Sequence, residues 1–348
     1  MAKRAAPTPE TVAEPAEAEP ALAAIVTIPP VRLSEPGVYD ALSARDYHLD
    51  PCPGPSLSRS ILKTLVSLSP AHAYVAHPRL GGLADADAEE GDEAADFGTA
   101  AHSAFLQGQS IIKRLDFKDW RTNAAKEARA QARADGLIPL LVRPYDRAMR
   151  LIEVLEQFRA ATGAFTAGRA EQTVIWQDGP VWARARVDWL PDEPSAAPWD
   201  LKTTAGRATL QAWSRVAFET GADLQDAWYG RGLEFCRGEP ADPMQFCVVE
   251  QSPPHGIGIF QMAPSTRQAA EDDVRYGLSL WEHCLATGLW PPYPLEPQWV
   301  FPPAWVSRAR EERASGVRQM VPARQRAPAY VGEHPNAVRY VETGDFGG

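Results

Sequence analysis

Asp188, Asp200 and Lys202 are the residues whose types and spacing could do chemistry together, inside the stretch R-A-R-V-D-W-L-P-D-E-P-S-A-A-P-W-D-L-K that runs from residue 184 to 202. Two apolar runs, VWARARVDWL and APWDLK, flank a Pro/Asp/Glu/Ser segment, which predicts two adjacent strands joined by a turn. Strand side chains alternate between faces, so Asp200 and Lys202 point the same way and Leu201 points into the opposite layer. Neighbouring carboxylates repel unless a cation neutralises them, and hard oxygen ligands suit Mg²⁺, with Mn²⁺ as a substitute. A lysine beside such an ion can orient a water and offset charge that builds on a phosphate. The three residues fit an ordinary strand with a surface ion pair equally well, so the wider sequence has to decide.

Other segments could bring further groups to that spot. The run DFGTAAHSAFLQ predicts a helix with Gly98 and His102 one turn apart, and its small residues allow close approach to another backbone. His102 is therefore a candidate third metal ligand. In GADLQDAWYGRGLEF, Gln225 and Tyr229 share a helix face, where both could hydrogen-bond to phosphate or to carboxylates. Ser56 or Ser58 can cap a helix that carries Leu57, Ile61, Leu62 and Leu65, and Ser69-Pro70 opens a second short helix. Hydroxyls and amides at a helix start also hold phosphates, which makes Ser56, Ser58 and Lys63 candidates for gripping a DNA end.

Around these motifs the period of the apolar residues changes. Helical spacing over 142–163 gives way to strands at AEQTVIWQ, VWARARVDWL and APWDLK, then to helices at about 207–220 and 222–237. MQFCVVEQ and GIGIFQM read as two more strands and 264–288 as a closing helix. The expected fold is a mixed α/β core, a central mixed sheet flanked by helices, with a helical addition in front. The expected domains are a disordered Ala/Pro/Glu-rich tail over 1–30, one catalytic domain over 31–307 and a flexible polar tail over 308–348, with a proline-rich aromatic strap beyond Gly288.

The chain of 348 residues carries a formal charge of −10 and 45% hydrophobic residues, enough for a real core. No apolar run reaches the length of a membrane helix and the N-terminus lacks a signal-peptide core, so a soluble cytoplasmic protein is expected. The acidic balance argues against a general polyanion binder, yet the charge is uneven. Seven acidic residues and no basic ones stand between Leu80 and Ala101, whereas Lys113 to Arg150 holds ten basic residues against five acidic, a stretch that could border a nucleic-acid path. No G-x-x-x-x-G-K-[ST] loop occurs, so no ATP requirement is expected.

Taken in order, S-L-S-R-S-I-L-K, S-P-A-H, F-G-T-A-A-H, A-E-Q-T-V-I-W, R-V-D-W-L, W-D-L-K-T-T and Q-D-A-W-Y resemble the RecE-type exonucleases, exodeoxyribonuclease VIII-like proteins in the RecB-like branch of the PD-(D/E)xK nuclease superfamily. The resemblance spans about residues 45 to 305. It implies a PD-(D/E)xK restriction-endonuclease-like core, metal ligation by His102, Asp188, Asp200 and the Leu201 carbonyl, and a catalytic Lys202. It further implies a contribution from Glu171 and places Gln225 and Tyr229 in the family's Q-x-x-x-Y motif. The superfamily's Pro before the first Asp is replaced by Val187. Arg184 and Arg186 join the early Ser/Lys helix as candidate grips on backbone phosphates.

The activity implied is Mg²⁺-dependent digestion of linear duplex DNA from 5′ ends, leaving 3′ single strands for phage-type recombination in a bacterial cell. Implied partners are double-stranded DNA ends, further copies in a homo-oligomeric ring and a single-strand annealing protein. Some relatives hold an iron–sulfur cluster with one early and three late cysteines, but Cys236, Cys247 and Cys284 are widely spread after Cys52, so none is expected. An endonuclease, an end-processing nuclease and a catalytically inactive DNA-binding module stay open as alternatives.

Overall fold

The computed structural model describes residues 31–40, 42–82 and 93–320. The tail expected over 1–30 and residues 321–348 lie outside them. The chain divides into two compact units, Met1–Tyr293 and Pro294–Gly348.

The first unit opens with β1 (Gly37–Tyr39), a short α1 (Ala44–His48) and β2 (Leu57–Ser58), which runs directly into α2 (Arg59–Ser67) and α3 (Pro70–Ala76). Both serine caps form as the sequence suggests: the Ser58 side chain accepts from Ile61 N–H and that of Ser69 from His72 N–H. Then come α4 (Glu93–Gln107), β3 (Ile112–Leu115), α5 (Asn123–Ala134), β4 (Ile138–Leu141) and α6 (Val142–Thr162). The central strands β5 (Gly168–Asp178), β6 (Val181–Pro191) and β7 (Trp199–Thr204) precede α7 (Leu210–Thr220) and α8 (Ala222–Arg237). The unit closes with β8 (Gln245–Glu250), β9 (Ile257–Phe260) and α9 (Pro264–Thr287).

These strands make the mixed sheet that the sequence suggests, in the order β1-β5-β6-β7-β8-β9, with β7 and β8 parallel and the other neighbours on that path antiparallel. One face packs on α2, α7, α8 and α9 through Leu62, Trp176, Trp213, Trp228 and Trp281. The other packs on α4 and α6 through Phe105, Leu151, Leu155 and Phe165. Alternation along β8 serves both cores: Phe246 and Val248 lie in the first, Cys247 and Val249 in the second. The two cores thus enclose the sheet from both sides.

A defect in this sheet creates the site. Strand β6 pairs with β5 along its whole length, but its other edge is divided between two partners. Strand β2 meets it at Ala183 and Arg184, and β7 meets it at Trp189 alone. Residues 185–188 therefore face a gap in the ladder, and buried backbone there must find other partners.

The sequence did not indicate a second, two-stranded parallel sheet of β3 and β4, which runs in register from Ile112↔Ile138 to Leu115↔Leu141. Nor did it indicate a buried polar knot that fastens the segment before β2. Asp50 Oδ1 accepts from the Ser56 hydroxyl at 2.6 Å and faces Arg184 at 3.2 Å, while its Oδ2 faces His77 at 3.3 Å. Burial alone would raise the Asp50 pKa, but His77, Arg184 and Ser56 outweigh it and hold the carboxyl at about 2.

In the second unit, residues 304–320 form helix α10 (Ala304–Met320). Of the aromatic strap, Trp290, still within the first unit, packs tilted against Tyr74 and edge-on against Trp281, whereas Leu295, Trp299, Val300 and Phe301 of the second unit are exposed.

Candidate active site

The gap beside β6 collects the charged residues that the sequence singles out. Asp188 lies late in β6, directly across the ladder from the Glu171 position of β5, whose neighbours pair as Gln172↔Val187 and Ala170↔Trp189. Glu171 itself has a φ of 54°, a left-handed conformation in mid-strand that costs a side-chain-bearing residue about 1 kcal/mol or more. The irregularity turns its carboxylate toward Arg186 Nε, 2.6 Å away, and toward His102 Nδ1 at 3.8 Å.

His102 reaches the gap from α4, with Nε2 2.8 Å from Asp188 Oδ2. The same oxygen accepts from Leu201 N–H at 2.9 Å, so a carboxylate stands in for the missing ladder partner of β7. Because N–H and C=O of one strand residue point to the same side, the Leu201 carbonyl also faces the gap. Burial alone would lower the His102 pKa, but Asp188, Glu171 and Asp200 together raise it to about 9. Burial would raise that of Asp188, yet His102, Lys202 and the Leu201 amide keep it below the usual carboxylate value.

Asp200 and Lys202 share a face of β7, as alternation requires. The Lys202 ammonium straddles the Asp200 carboxylate, hydrogen-bonding Oδ1 at 2.9 Å and making an ionic contact at 2.7 Å with Oδ2. Oδ2 is buried and accepts no hydrogen bond. From α8, the Gln225 amide nitrogen donates to Asp200 Oδ1, and its oxygen accepts from Lys202 Nζ at 3.4 Å and from Arg59 Nη2 at 3.0 Å. Tyr229, one turn further on, is buried and its phenol pKa is raised well above the ordinary value, first by burial and then by Tyr47, Asp188 and Asp200.

Donor chemistry in the gap fits a hard divalent cation: two carboxylates, an imidazole, an outward carbonyl and one buried carboxylate oxygen with no hydrogen bond. Among the described residues, however, no three His, Cys, Asp or Glu side chains already stand close enough to chelate an ion. His102 and Lys202 occupy the lone pairs that an ion would use, so binding requires these two cationic groups to shift.

Several expected phosphate grips are engaged in the interior instead. Ser56 is 0% exposed and Arg184 is 3% exposed; Arg184 donates to the Ser56 carbonyl at 2.8 Å and pairs with Asp50. Neither can reach a surface phosphate, because a buried guanidinium must be neutralised where it stands. Ser58 is likewise buried and spent on capping α2. Lys63 extends across Gly221 to the Glu219 carbonyl at the end of α7. Arg186 points into the site, held by Glu171 and by the Leu42 carbonyl at 2.7 Å. Arg59 is the site residue that the sequence left unmarked, although it stands in the S-L-S-R-S motif directly after the capping Ser58.

Residues 58–296 match the family model of a PDDEXK-like domain of unknown function (DUF3799). The chain belongs to this family. The matched range contains His102, Glu171, Asp188, Asp200, Lys202, Gln225 and Tyr229, and it supports the PD-(D/E)xK superfamily without reaching the RecE-type group. Among solved structures, a candidate exonuclease from Eubacterium rectale is similar at a TM-score of 0.50 and 14% identity, over 78% of this chain and 98% of its own. A phage related exonuclease from Haemophilus somnus 129PT overlaps 54% of this chain and 95% of its own at 14% identity and a TM-score of 0.29, too distant to bear on the fold. No curated protein matches the chain. In this PDDEXK-like chain, no helix among the described residues is long and apolar enough to cross a membrane.

Proposed function

We propose that the protein is a divalent-metal-dependent exodeoxyribonuclease that digests linear duplex DNA, in the 5′-to-3′ direction, and leaves 3′ single strands for recombination of the phage type. The observation that carries this reading is the convergence of Asp188, Asp200 and Lys202 in the gap between β6 and β7, with Gln225 bracing the last two. A Mg²⁺ ion held by His102, Asp188, Asp200 and the Leu201 carbonyl would supply Lewis-acid polarisation of a phosphate and an acidified water. Lys202, displaced from the metal-facing oxygen of Asp200 and kept beside it by the Gln225 amide oxygen, would orient the attacking water and donate to the oxygen that gains charge. Arg186 and Glu171 hold each other beside His102 and keep that wall of the site in place. In this reading the protein meets double-stranded DNA ends as a homo-oligomeric ring and passes its product to a single-strand annealing protein.

Digestion of linear duplex DNA labelled at either end, with Mg²⁺ or with EDTA, tests the reading. Metal-dependent release from 5′ ends, lost in Asp200→Ala and absent on closed circles, is the expected result. Cutting of circles would replace it with an endonuclease. Retained DNA binding without any cleavage would reduce the protein to a binding module.

A further inference from the structure

The ten basic residues from Lys113 to Arg150 lie on β3, the loop after it, α5 and α6, around β4, a module that the proposed chemistry does not use. Six of them, Lys113, Arg114, Lys118, Lys126, Arg143 and Arg150, are exposed and make no ion pair with any described residue. Elsewhere on this acidic chain arginines find carboxylates: Arg207 pairs with Glu250, Arg231 with Asp178, Arg267 with Glu271 and Arg275 with Asp272. Six exposed, unpaired cations give this module a positive field on a chain of net charge −10, and a polyanion is the partner that such a field attracts.

Two of the six frame a concavity. Phe117 and Lys118, after β3, and Leu141, Val142, Arg143 and Pro144, at the start of α6, line a cavity of about 380 Å³. Cations stand at its rim and apolar groups form its floor, which is the chemistry of a nucleic-acid strand, whose phosphates take the charge and whose sugars and bases take the apolar surface. The module is also mechanically tied to the site. Ile112 and Leu140 share a core with Phe97, Ala101 and Phe105 of α4, the helix that presents His102.

We propose that the β3–α5–β4 module, with the first turn of α6, is a DNA-backbone track centred on Lys118 and Arg143, which holds the polymer while its end is processed in the gap beside β6. The track deepens the nuclease reading and rests on it for the processing role, but its binding can be measured without catalysis.

The test is equilibrium binding of a labelled linear DNA duplex in EDTA over a salt titration, from about 50 to 200 mM. The proteins compared are the full chain, Lys118→Glu/Arg143→Glu and the milder Lys118→Gln/Arg143→Gln. Both substitutions should lower the slope of log affinity against log salt by about two, and charge reversal should weaken binding about tenfold. Hydrolysis of bis(p-nitrophenyl) phosphate with Mg²⁺, which needs no track, should be unchanged in both. An unaltered affinity and salt slope in the charge-reversed protein would overturn the track and leave these cations to an acidic protein partner. Failure of the wild type to hydrolyse any phosphodiester would refute the nuclease reading instead, and the binding slopes would still decide the track.

Discussion

Arg59 donates to the side-chain oxygen of Gln225 at 3.0 Å across 166 residues of chain, and this bond decides which way the glutamine amide faces. With its oxygen held by Arg59 and Lys202, the amide must present nitrogen to Asp200. Arg59 is itself fixed, because its other terminal nitrogen donates at 3.0 Å to the Thr220 carbonyl at the end of α7. Replacing Arg59 with methionine should free the amide to rotate and loosen Lys202. Steady-state kinetics on linear DNA should show kcat falling about 10- to 100-fold with KM little changed, and Arg59→Lys should recover part of the loss. A change confined to KM would remove Arg59 from this role.

Lys202 and Asp200 are coupled in stability as well as in chemistry. Asp200 is buried, so Lys202→Met strands a carboxylate and should destabilise the fold by about 1–3 kcal/mol. Adding Asp200→Asn removes the stranded charge and should return much of that loss, although both proteins should be inactive. Urea unfolding of the two single variants and the double variant closes the cycle, and simple additivity would contradict the pairing.

Asp50 predicts an acid limb of stability. Its carboxyl is held at about 2 in the folded chain against an ordinary value of 3.8, so the native state favours the ionised form. That stabilisation is complete above the unfolded value and disappears as pH falls from about 4 to about 2. It amounts to about 2 kcal/mol. Unfolding curves of Asp50→Asn should show this deficit at neutral pH and a flatter dependence over the acid window; parallel curves would contradict it.

Metal loading should register without turnover. A cation that binds only the folded gap stabilises it by mass action, so Mg²⁺ should raise the Tm of the wild type and leave that of Asp188→Ala/Asp200→Ala nearly unmoved. Equal shifts in both would place the ion elsewhere.

The sequence revealed those parts of the site that are written in local periodicity. Alternation put Asp200 and Lys202 on one face, helical spacing put Gln225 above Tyr229, and the small residues around His102 marked a helix that packs closely. What it hid depends on pairing between distant segments. Whether Arg184 faces solvent or Asp50 is decided by where β2 docks on β6, and nothing near residue 184 encodes that. The same holds for Arg59, whose partner is on another helix, and for β3 and β4, each only four residues long and paired across an intervening helix.

The left-handed backbone at Glu171 sets two demands on one position. An ordinary strand prefers alanine to glycine, but at residue 171 the order should invert, with Glu171→Gly about 1 kcal/mol more stable than Glu171→Ala, since both lack the carboxylate and only glycine adopts this φ without strain. The conformation favours glycine while the bond to Arg186 calls for an acid. A glycine there would relax the backbone but leave the largely buried Arg186 guanidinium without its carboxylate, so the strained turn of chain is kept by the ion pair that it makes possible.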